Sequence, residues 1–428
     1  MDKTIRRLTY SIFFLLFFII APILTMYAIG YRYDFKNGNL EKNGAFYVKS
    51  YPKGADIFVD GQKINKETPT QITSVKSGTY NLMVKKNLYA PWEKQLNVYP
   101  GQTTFAEDIV LFLNNREKSS LGAGSDNYLL NRQENKYAYI DAQKRLSITD
   151  IEQNKNFEIF TFDIDYELID WSADNQKIIL KNKNNYYIFD INQRYIYPLD
   201  ISSVSKIIWE NGSEDILFLK NQEIFRYDAS QIKNTTTESL NLDKQINDFA
   251  VKDNFLLIQY SLEQNNFVDQ IDKDSHQTIQ TISDVGLGNL ELVMAKNDYL
   301  IFSVGSKLYI KSPNKNLISI PVTIVSLHDD RLLISNGHEI ILYNYKDDWQ
   351  ELIDRSTQIV SELMWHPNGS YFIYEINGQT YLSEIDSRDK RNIIEILNDP
   401  RKKNYLFNKK GDKLFILTPE ENFYLTIQ

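Results

Sequence analysis

Between residues 130 and 416 an apolar triplet recurs eight times, each time seven residues after an apolar anchor. Four copies are strong. Trp171 precedes Ile178-Ile179-Leu180, and Trp209 precedes Ile216-Leu217-Phe218. Trp365 precedes Phe372-Ile373-Tyr374, and Phe407 precedes Leu414-Phe415-Ile416. Weaker copies start at Leu130, Phe249, Val293 and Val325. Successive anchors lie 32 to 44 residues apart. All 24 triplet positions are apolar in a chain that is only 42% hydrophobic, so composition alone does not produce the pattern. Polar turns such as Ala173-Asp174-Asn175 and Pro367-Asn368-Gly369 separate anchor from triplet, and their residues suit tight hairpins. A further β-branched and aromatic run follows each triplet, often closing on an acid, as at Asp150, Asp190, Asp228, Asp272 and Asp386. Short strands repeating about every 40 residues predict a β-propeller of about eight blades, with seven as the alternative. Continuous apolar triplets suit strands covered on both faces.

The last repeat ends just after its third strand. A four-stranded final blade therefore needs a strand from before Leu130, and Arg116–Leu121 is the available segment. Pairing the start of the domain with its end would remove exposed strand edges.

Residues 8–29 show a different pattern: LTYSIFFLLFFIIAPILTMYAI carries no charge. As a helix it is long enough to cross a hydrocarbon core, and Pro22 is tolerable there. Tyr27, Tyr31 and Tyr33 suit the interface. Met26-Tyr27-Ala28 is a poor signal-peptide cleavage site because Met is too large, which favours an uncleaved anchor. Lys3, Arg6 and Arg7 precede the segment, although Arg32 and Lys36 follow it. A short basic head keeps residues 1–7 in the cytoplasm and places 32–428 outside it.

After a short linker from Tyr31 to Asn43, residues 44–112 alternate apolar and polar positions. The runs are Ala45–Val48, Ile57–Val59, Tyr80–Val84, Gln95–Val98 and Phe105–Leu113, separated by turn residues such as Asp60-Gly61 and Pro100-Gly101. They predict a small β-sandwich. The run Ser50-Tyr51-Pro52-Lys53-Gly54-Ala55-Asp56-Ile57-Phe58-Val59-Asp60-Gly61 resembles the opening of a PEGA domain. Thr68-Pro69-Thr70, Ser77-Gly78-Thr79-Tyr80 and Tyr89-Ala90-Pro91-Trp92 resemble its later landmarks. Lys53 replaces the family's Glu, and Leu88 stands where Gly is frequent. The resemblance implies an immunoglobulin-like module of bacterial envelope proteins, with no catalytic residues to carry over. Trp171-Ser172-Ala173-Asp174-Asn175 and Trp365-His366-Pro367-Asn368-Gly369 resemble the Trp-Ser-Pro-Asp-Gly turn of TolB-type and WD-type propellers.

Charge and composition narrow the chemistry. The net charge is −8 with no long basic patch, which argues against nucleic-acid partners. The chain has no cysteine, so it has neither disulfides nor thiolate sites. His276, His328, His338 and His366 lack metal-ligand spacing; His328 and His338 read as turn or surface residues near the fifth-to-sixth repeat boundary, and His366 as structural. Gly122-Ala123-Gly124 and Gly286-Leu287-Gly288 read as linkers rather than nucleotide loops. Asp163/Asp165, Asp329-Asp330 and Asp347-Asp348 read as solvated turns. Trp171, Trp209 and Trp365 read as packing between blades, Trp92 as sandwich core and Trp349 as exposed. No residue is assigned as catalytic, cofactor-binding or metal-ligating, and no cofactor is expected.

The expectation is an all-β, non-enzymatic protein: cytoplasmic tail 1–7, transmembrane helix 8–29, PEGA-like sandwich 44–112 and propeller 116–428. It would be a single-pass membrane protein with extracytoplasmic domains, binding an envelope protein or a cell-wall glycan. The alternative is a propeller hydrolase or lyase acting on wall polysaccharide, which needs carboxylates converging at the ring's mouth.

Overall fold

The computed structural model describes residues 3–34, 39–210, 212–230, 237–296, 298–313 and 315–428. The chain forms two compact units: residues 1–116 with 384–393 and 427–428, and residues 117–383 with 394–426.

The first unit opens with helix α1 (Lys3–Ala28). Its stretch Arg6–Ala28 is long and apolar enough to cross a membrane. The expected linker instead contains a two-stranded hairpin, β1 (Tyr31–Asp34) and β2 (Asn39–Lys42). Alternation over four residues on each side is too short to stand out in the sequence; Lys36, named above, lies outside the described residues.

Seven further strands make the sandwich: β3 (Gly44–Tyr51), β4 (Asp56–Val59), β5 (Gln62–Glu67), β6 (Thr70–Val75), β7 (Gly78–Lys85), β8 (Trp92–Val98) and β9 (Thr103–Val110). One sheet runs β6-β3-β9, with β3 and β9 parallel; the other runs β5-β4-β7-β8. Phe46, Val48, Ile57, Leu82, Val84, Trp92 and Leu96 fill the space between them. Asp60-Gly61 forms the two-residue turn of the β4–β5 hairpin, and both residues have positive φ. The polar strands β5 and β6 carry no apolar alternation and are absent from the sequence reading for that reason.

Sandwich edges expose unpaired backbone groups, and here side chains cover them. The segment 384–393 does this for β8 and β9. Asn392 Oδ1 accepts from the Glu93 N–H (3.3 Å) and Asn392 Nδ2 donates to the Glu93 carbonyl (3.2 Å). Asp389 accepts from the Gln95 N–H at 2.8 Å, and Arg388 donates to the Phe105 carbonyl at 2.7 Å. On β6, Lys66 and Asn43 donate to the carbonyls of Gln71 and Ser74. The same segment begins with a buried charge. Glu384 accepts from Trp92 Nε1 (2.7 Å), Lys94 Nζ (2.6 Å), and the Asn392 N–H and Nδ2 (2.9 Å each). Lys94 is fully buried and also donates to the Asp386 carbonyl at 2.6 Å.

The second unit is a ring of eight four-stranded antiparallel sheets among the described residues. Blades 1 to 7 span 128–161, 167–199, 206–239, 246–283, 290–321, 324–355 and 360–398. Blade 8 takes three strands from 404–426 and its outermost from β10 (Lys118–Ala123). The closing strand pairs Lys118 with Leu425, Ser119 with Tyr424 and Ser120 with Phe423. It lies two residues beyond the expected Arg116–Leu121. Gly122-Ala123-Gly124 is therefore part of the closure and not a linker. A Cβ on Gly124 would sit 2.1 Å from the Thr418 carbonyl oxygen, so the last strand's turn leaves no room for a side chain. Gly286-Leu287-Gly288 likewise packs tightly, with a Cβ on Gly288 placed 2.9 Å from Gly305 Cα.

The triplets are the second strands, buried on both faces. Leu130, Trp171, Trp209, Trp365 and Phe407 each pair with the first residue of their triplet. Three weak copies differ. Phe249 and Val325 pair with the last residue, Ile258 and Ile334, and Val293 is bulged out between Leu292 and Met294. In blades 4 and 6 the first strand runs on into a two-residue turn, Asp253-Asn254 or Asp329-Asp330, whose first Asp has positive φ. The seven-residue spacing survives, while the pairing it implies shifts. The acids that end the third strands make turns: Asp190 accepts the Gln193 N–H, Asp228 that of Ser230, and Asp272 that of Ser275.

Candidate functional site

The first strand of each blade is innermost and lies against the first strand of its neighbour, as in blades 1 and 2, 2 and 3, 4 and 5, and 6 and 7. These strands line the ring's centre, where residues from different blades can converge on one ligand.

A repeated charge device holds them. Asp170, at a bulge in Glu167–Trp171 of blade 2, accepts from the N–H of Trp171 (2.8 Å) and from that of Trp209 in blade 3 (2.6 Å). Arg132 of blade 1 lies 3.6 Å from the same carboxylate and donates to the Trp209 carbonyl at 2.6 Å. Two blades on, Asp248 accepts from the N–H of Phe249 (2.8 Å) and from that of Leu290 in blade 5 (2.7 Å). Lys206 of blade 3 supplies the cation, 3.0 Å from Asp248 and 3.2 Å from the Leu290 carbonyl. A carboxylate on one blade thus joins the blades on either side. Burial raises the Asp170 carboxyl above its ordinary pKa, opposed by Arg132 and the two N–H groups. Blade 6 makes a neutral version: the Ser326 carbonyl accepts from Trp365 Nε1 at 3.0 Å. These groups do not stand out in the sequence. Their only local sign is an acid immediately before the anchor, in Asp170-Trp171 and Asp248-Phe249.

Beside this device a cleft of about 730 Å³ opens across blades 1 to 4. Ile169, Ile208 and Val251 line it with partly exposed apolar surface. Arg132, Gln133, Lys252, Asp253 and Asn254 supply polar groups around them. A second hollow of about 400 Å³ shares Ala173, Trp209 and Gly212 with it and is bordered by the Lys177–Glu214 pair at 2.7 Å. The carboxylates in the larger cleft are Asp170, already bonded to two N–H groups, and Asp253, at a hairpin turn.

A second polar cluster lies near the start of the blade 7 inner strand. Glu362 stands directly opposite Glu375. Glu375 takes the available donors: Ser361 Oγ at 3.1 Å, Lys403 Nζ at 3.1 Å and the Tyr405 hydroxyl, which also bonds Thr380 at 2.6 Å. Burial, with Glu375 adding to it, pushes the Glu362 carboxyl up to about 7, against the opposing pull of Lys402 and Lys403. Its folded pKa exceeds the ordinary 4.5, so the stability it contributes is complete below that value and lost as pH rises through 7. Glu362→Gln should therefore stabilise the ring at pH 8 by roughly 1–3 kcal/mol, after allowance for partial solvent screening, with little effect at pH 4.5. Urea unfolding at both values checks this; equal shifts at the two would refute it.

The other residues singled out in the sequence do not converge on one site. His366 is buried between blades 7 and 8, where its Nε2 donates to the Gly411 carbonyl at 2.9 Å and its Nδ1 faces Asn368, 2.9 Å from the Oδ1 and 3.3 Å from the backbone nitrogen. Burial lowers its pKa, against the pull of the Gly411 and Asn368 hydrogen bonds, and the ring acts as a structural bridge. His328 and His338 both lie in blade 6, which begins at Ile324, with His338 in the turn between its second and third strands. His328 ends the first strand, its ring 5.5 Å from that of Trp365. His276 lies in the turn after the blade 4 third strand. Asp163 and Asp165 are exposed, and Asp348 accepts from the Tyr343 hydroxyl at 2.6 Å. Trp171, Trp209 and Trp365 are buried among blade contacts, Trp92 is buried in the sandwich, and Trp349 is 41% exposed on an outer strand. No group of three His, Asp or Glu side chains among the described residues could hold a metal ion.

Residues 43–108 match the PEGA domain family. The C-terminal WD40 domain of Sif2 is similar in structure at 12% identity, over 73% of this chain and 98% of that one, with a TM-score of 0.51. BamB from Moraxella catarrhalis aligns at 11% identity over 73% and 98% of the two chains, with a TM-score of 0.47. The dihydro-heme d1 dehydrogenase NirN aligns at 12% identity over 64% and 67%, also with a TM-score of 0.47. No curated protein sequence matches the chain. The chain thus joins a PEGA domain to a β-propeller, and at these identities the structural likeness speaks for the fold alone.

Proposed function

We propose that this protein is a membrane-anchored, extracytoplasmic scaffold of the bacterial envelope whose propeller receives a segment of a protein partner. Residues 1–7 face the cytoplasm, α1 spans the bilayer, and the PEGA domain and propeller lie outside. The apolar stretch Arg6–Ala28, with Lys3, Arg6 and Arg7 at its N-terminal end, supports the anchoring and its direction. The PEGA match at 43–108 supports the envelope setting.

The cleft across blades 1 to 4 carries the binding reading. Its apolar lining of Ile169, Ile208 and Val251 beside amide and charged groups suits a peptide segment with apolar side chains and a backbone to be hydrogen-bonded. A glycan-cleaving site would need two free carboxylates across a sugar-sized gap. Asp170 is occupied by blade-joining bonds, which gives that alternative no support in this cleft.

A photo-crosslinking residue in place of Gln133, in cells expressing the full chain, should trap one envelope protein. Ile208→Asp should reduce the adduct at least tenfold, because it places a charge in the apolar lining, while leaving the circular dichroism melt close to wild type. No adduct at this position, or an adduct indifferent to Ile208→Asp, would overturn the assignment of the cleft.

A further inference from the structure

Two residues, Ile29 and Gly30, separate the end of α1 at Ala28 from the start of β1 at Tyr31, and the junction is braced rather than loose. Arg32 turns back onto the helix end: its guanidinium sits 3.6 Å from the centre of the Tyr27 ring. One of its nitrogens donates to the carbonyls of Tyr27 (2.7 Å) and Tyr31 (2.8 Å). These contacts cap a helix C-terminus with a cation, which its dipole favours. Gly30 makes the turn with φ +99. Beyond β2, the Asn43 N–H donates to the Gly30 carbonyl at 3.0 Å, and the Gly101 N–H donates to the Asn43 carbonyl at 3.1 Å. Both ends of the hairpin are thus tied at one point, next to the helix exit.

Register places Tyr31 opposite Lys42 and Tyr33 opposite Leu40. Alternation puts these four on one face, with Arg32 and Glu41 on the other. Tyr33 and Leu40 are 52% and 45% exposed. A two-stranded hairpin is marginal in water, and this one exposes about half of an aromatic–aliphatic pair.

We propose that this hairpin lies in the headgroup layer of the bilayer, with Tyr33 and Leu40 at the acyl boundary. The lipid surface would then be a second membrane contact, in addition to the helix. The inference rests on the reading of α1 as a membrane span. Reach supports it: the three residue steps from Ala28 to Tyr31 extend at most about 10 Å, and the interfacial layer on each side is about 5–8 Å thick. Chemistry supports it too. Tyr27, Tyr31 and Tyr33 carry rings with polar tips, and Arg32 and Lys42 carry charges able to face phosphates. A braced hairpin seated in the headgroups would hold the sandwich at a set height above the membrane, which a free tether would not.

The chain contains no cysteine, so single-cysteine probes can be placed in the full protein without background. The variants are Leu40→Cys, Tyr33→Cys, Leu16→Cys within the helix and Lys63→Cys on β5. Each would carry an environment-sensitive dye and be reconstituted in phosphatidylcholine vesicles with a minority of phosphatidylglycerol. Nitroxide-labelled lipids serve as quenchers. Positions 40 and 33 should be quenched at least threefold more than position 63, most strongly by the headgroup-proximal nitroxide. Quenching at 16 with positions 40 and 33 matching 63 would overturn the hairpin's placement and leave the membrane span standing. Absence of quenching at 16 would overturn both.

Discussion

Removing residues 422–428 should abolish cooperative folding of the propeller. The deletion takes away the strand that pairs with both β10 and its own blade, and with it the buried side chains of Phe423 and Leu425. Burial of two such groups stabilises by about 3–6 kcal/mol, a large share of the whole stability of an ordinary domain. The loss also leaves β10 and the blade's second strand with open edges. Size-exclusion chromatography should show aggregation, and the thermal circular dichroism transition should broaden or vanish. A deletion variant melting cooperatively at the wild-type midpoint would refute closure through this strand. Gly124→Ala gives a finer measure, since every strand residue is retained while a methyl group is forced against the Thr418 carbonyl. It should cost about 1–3 kcal/mol as an overpacking change.

Glu384→Ala should destabilise the first unit by about 3–5 kcal/mol, because it takes the nearest carboxylate from a buried ammonium, leaving Lys94 with Asp386 at 3.8 Å. Lys94 is fully buried, and Glu384 is its near-neighbour carboxylate at 2.6 Å. Trp92 Nε1 and the Asn392 amide lose their acceptor in the same step. Lys94→Met should cost a similar amount for the mirrored reason. Lys94→Met with Glu384→Leu should cost less than either single change, since no unpaired charge remains. Urea unfolding of the four proteins forms a double-mutant cycle. Additive effects would show that the two charges do not depend on each other.

The repeat was legible because burial on both faces of a second strand demands three apolar residues in a row, whatever else a blade does. The anchors were legible less completely. Trp171, Trp209 and Trp365 mark the same paired position, whereas Phe249, Val293 and Val325 do not. A two-residue turn lengthens the hairpin without altering the spacing counted along the chain. Lys94 shows the opposite failure: a lysine in an alternating strand reads as a surface residue, and only its partners from residues 384–386 explain its burial. Glu362 likewise reads as an ordinary glutamate until the register sets it against Glu375.

The chain's own order of residues determined the all-β architecture, the apolar helix, the PEGA turn chemistry and the need for a closing strand, since each follows from local periodicity or from counting strands. Tertiary structure alone decided which acids join blades, where the cleft opens, and how residues 384–393 cover the sandwich edges. Those features depend on groups far apart in the chain meeting at hydrogen-bond distance, as Asp170 meets the Trp209 N–H and Asn392 meets Glu93. A hydrophobic pattern records which side chains must leave water, but it holds no record of which polar group each will find.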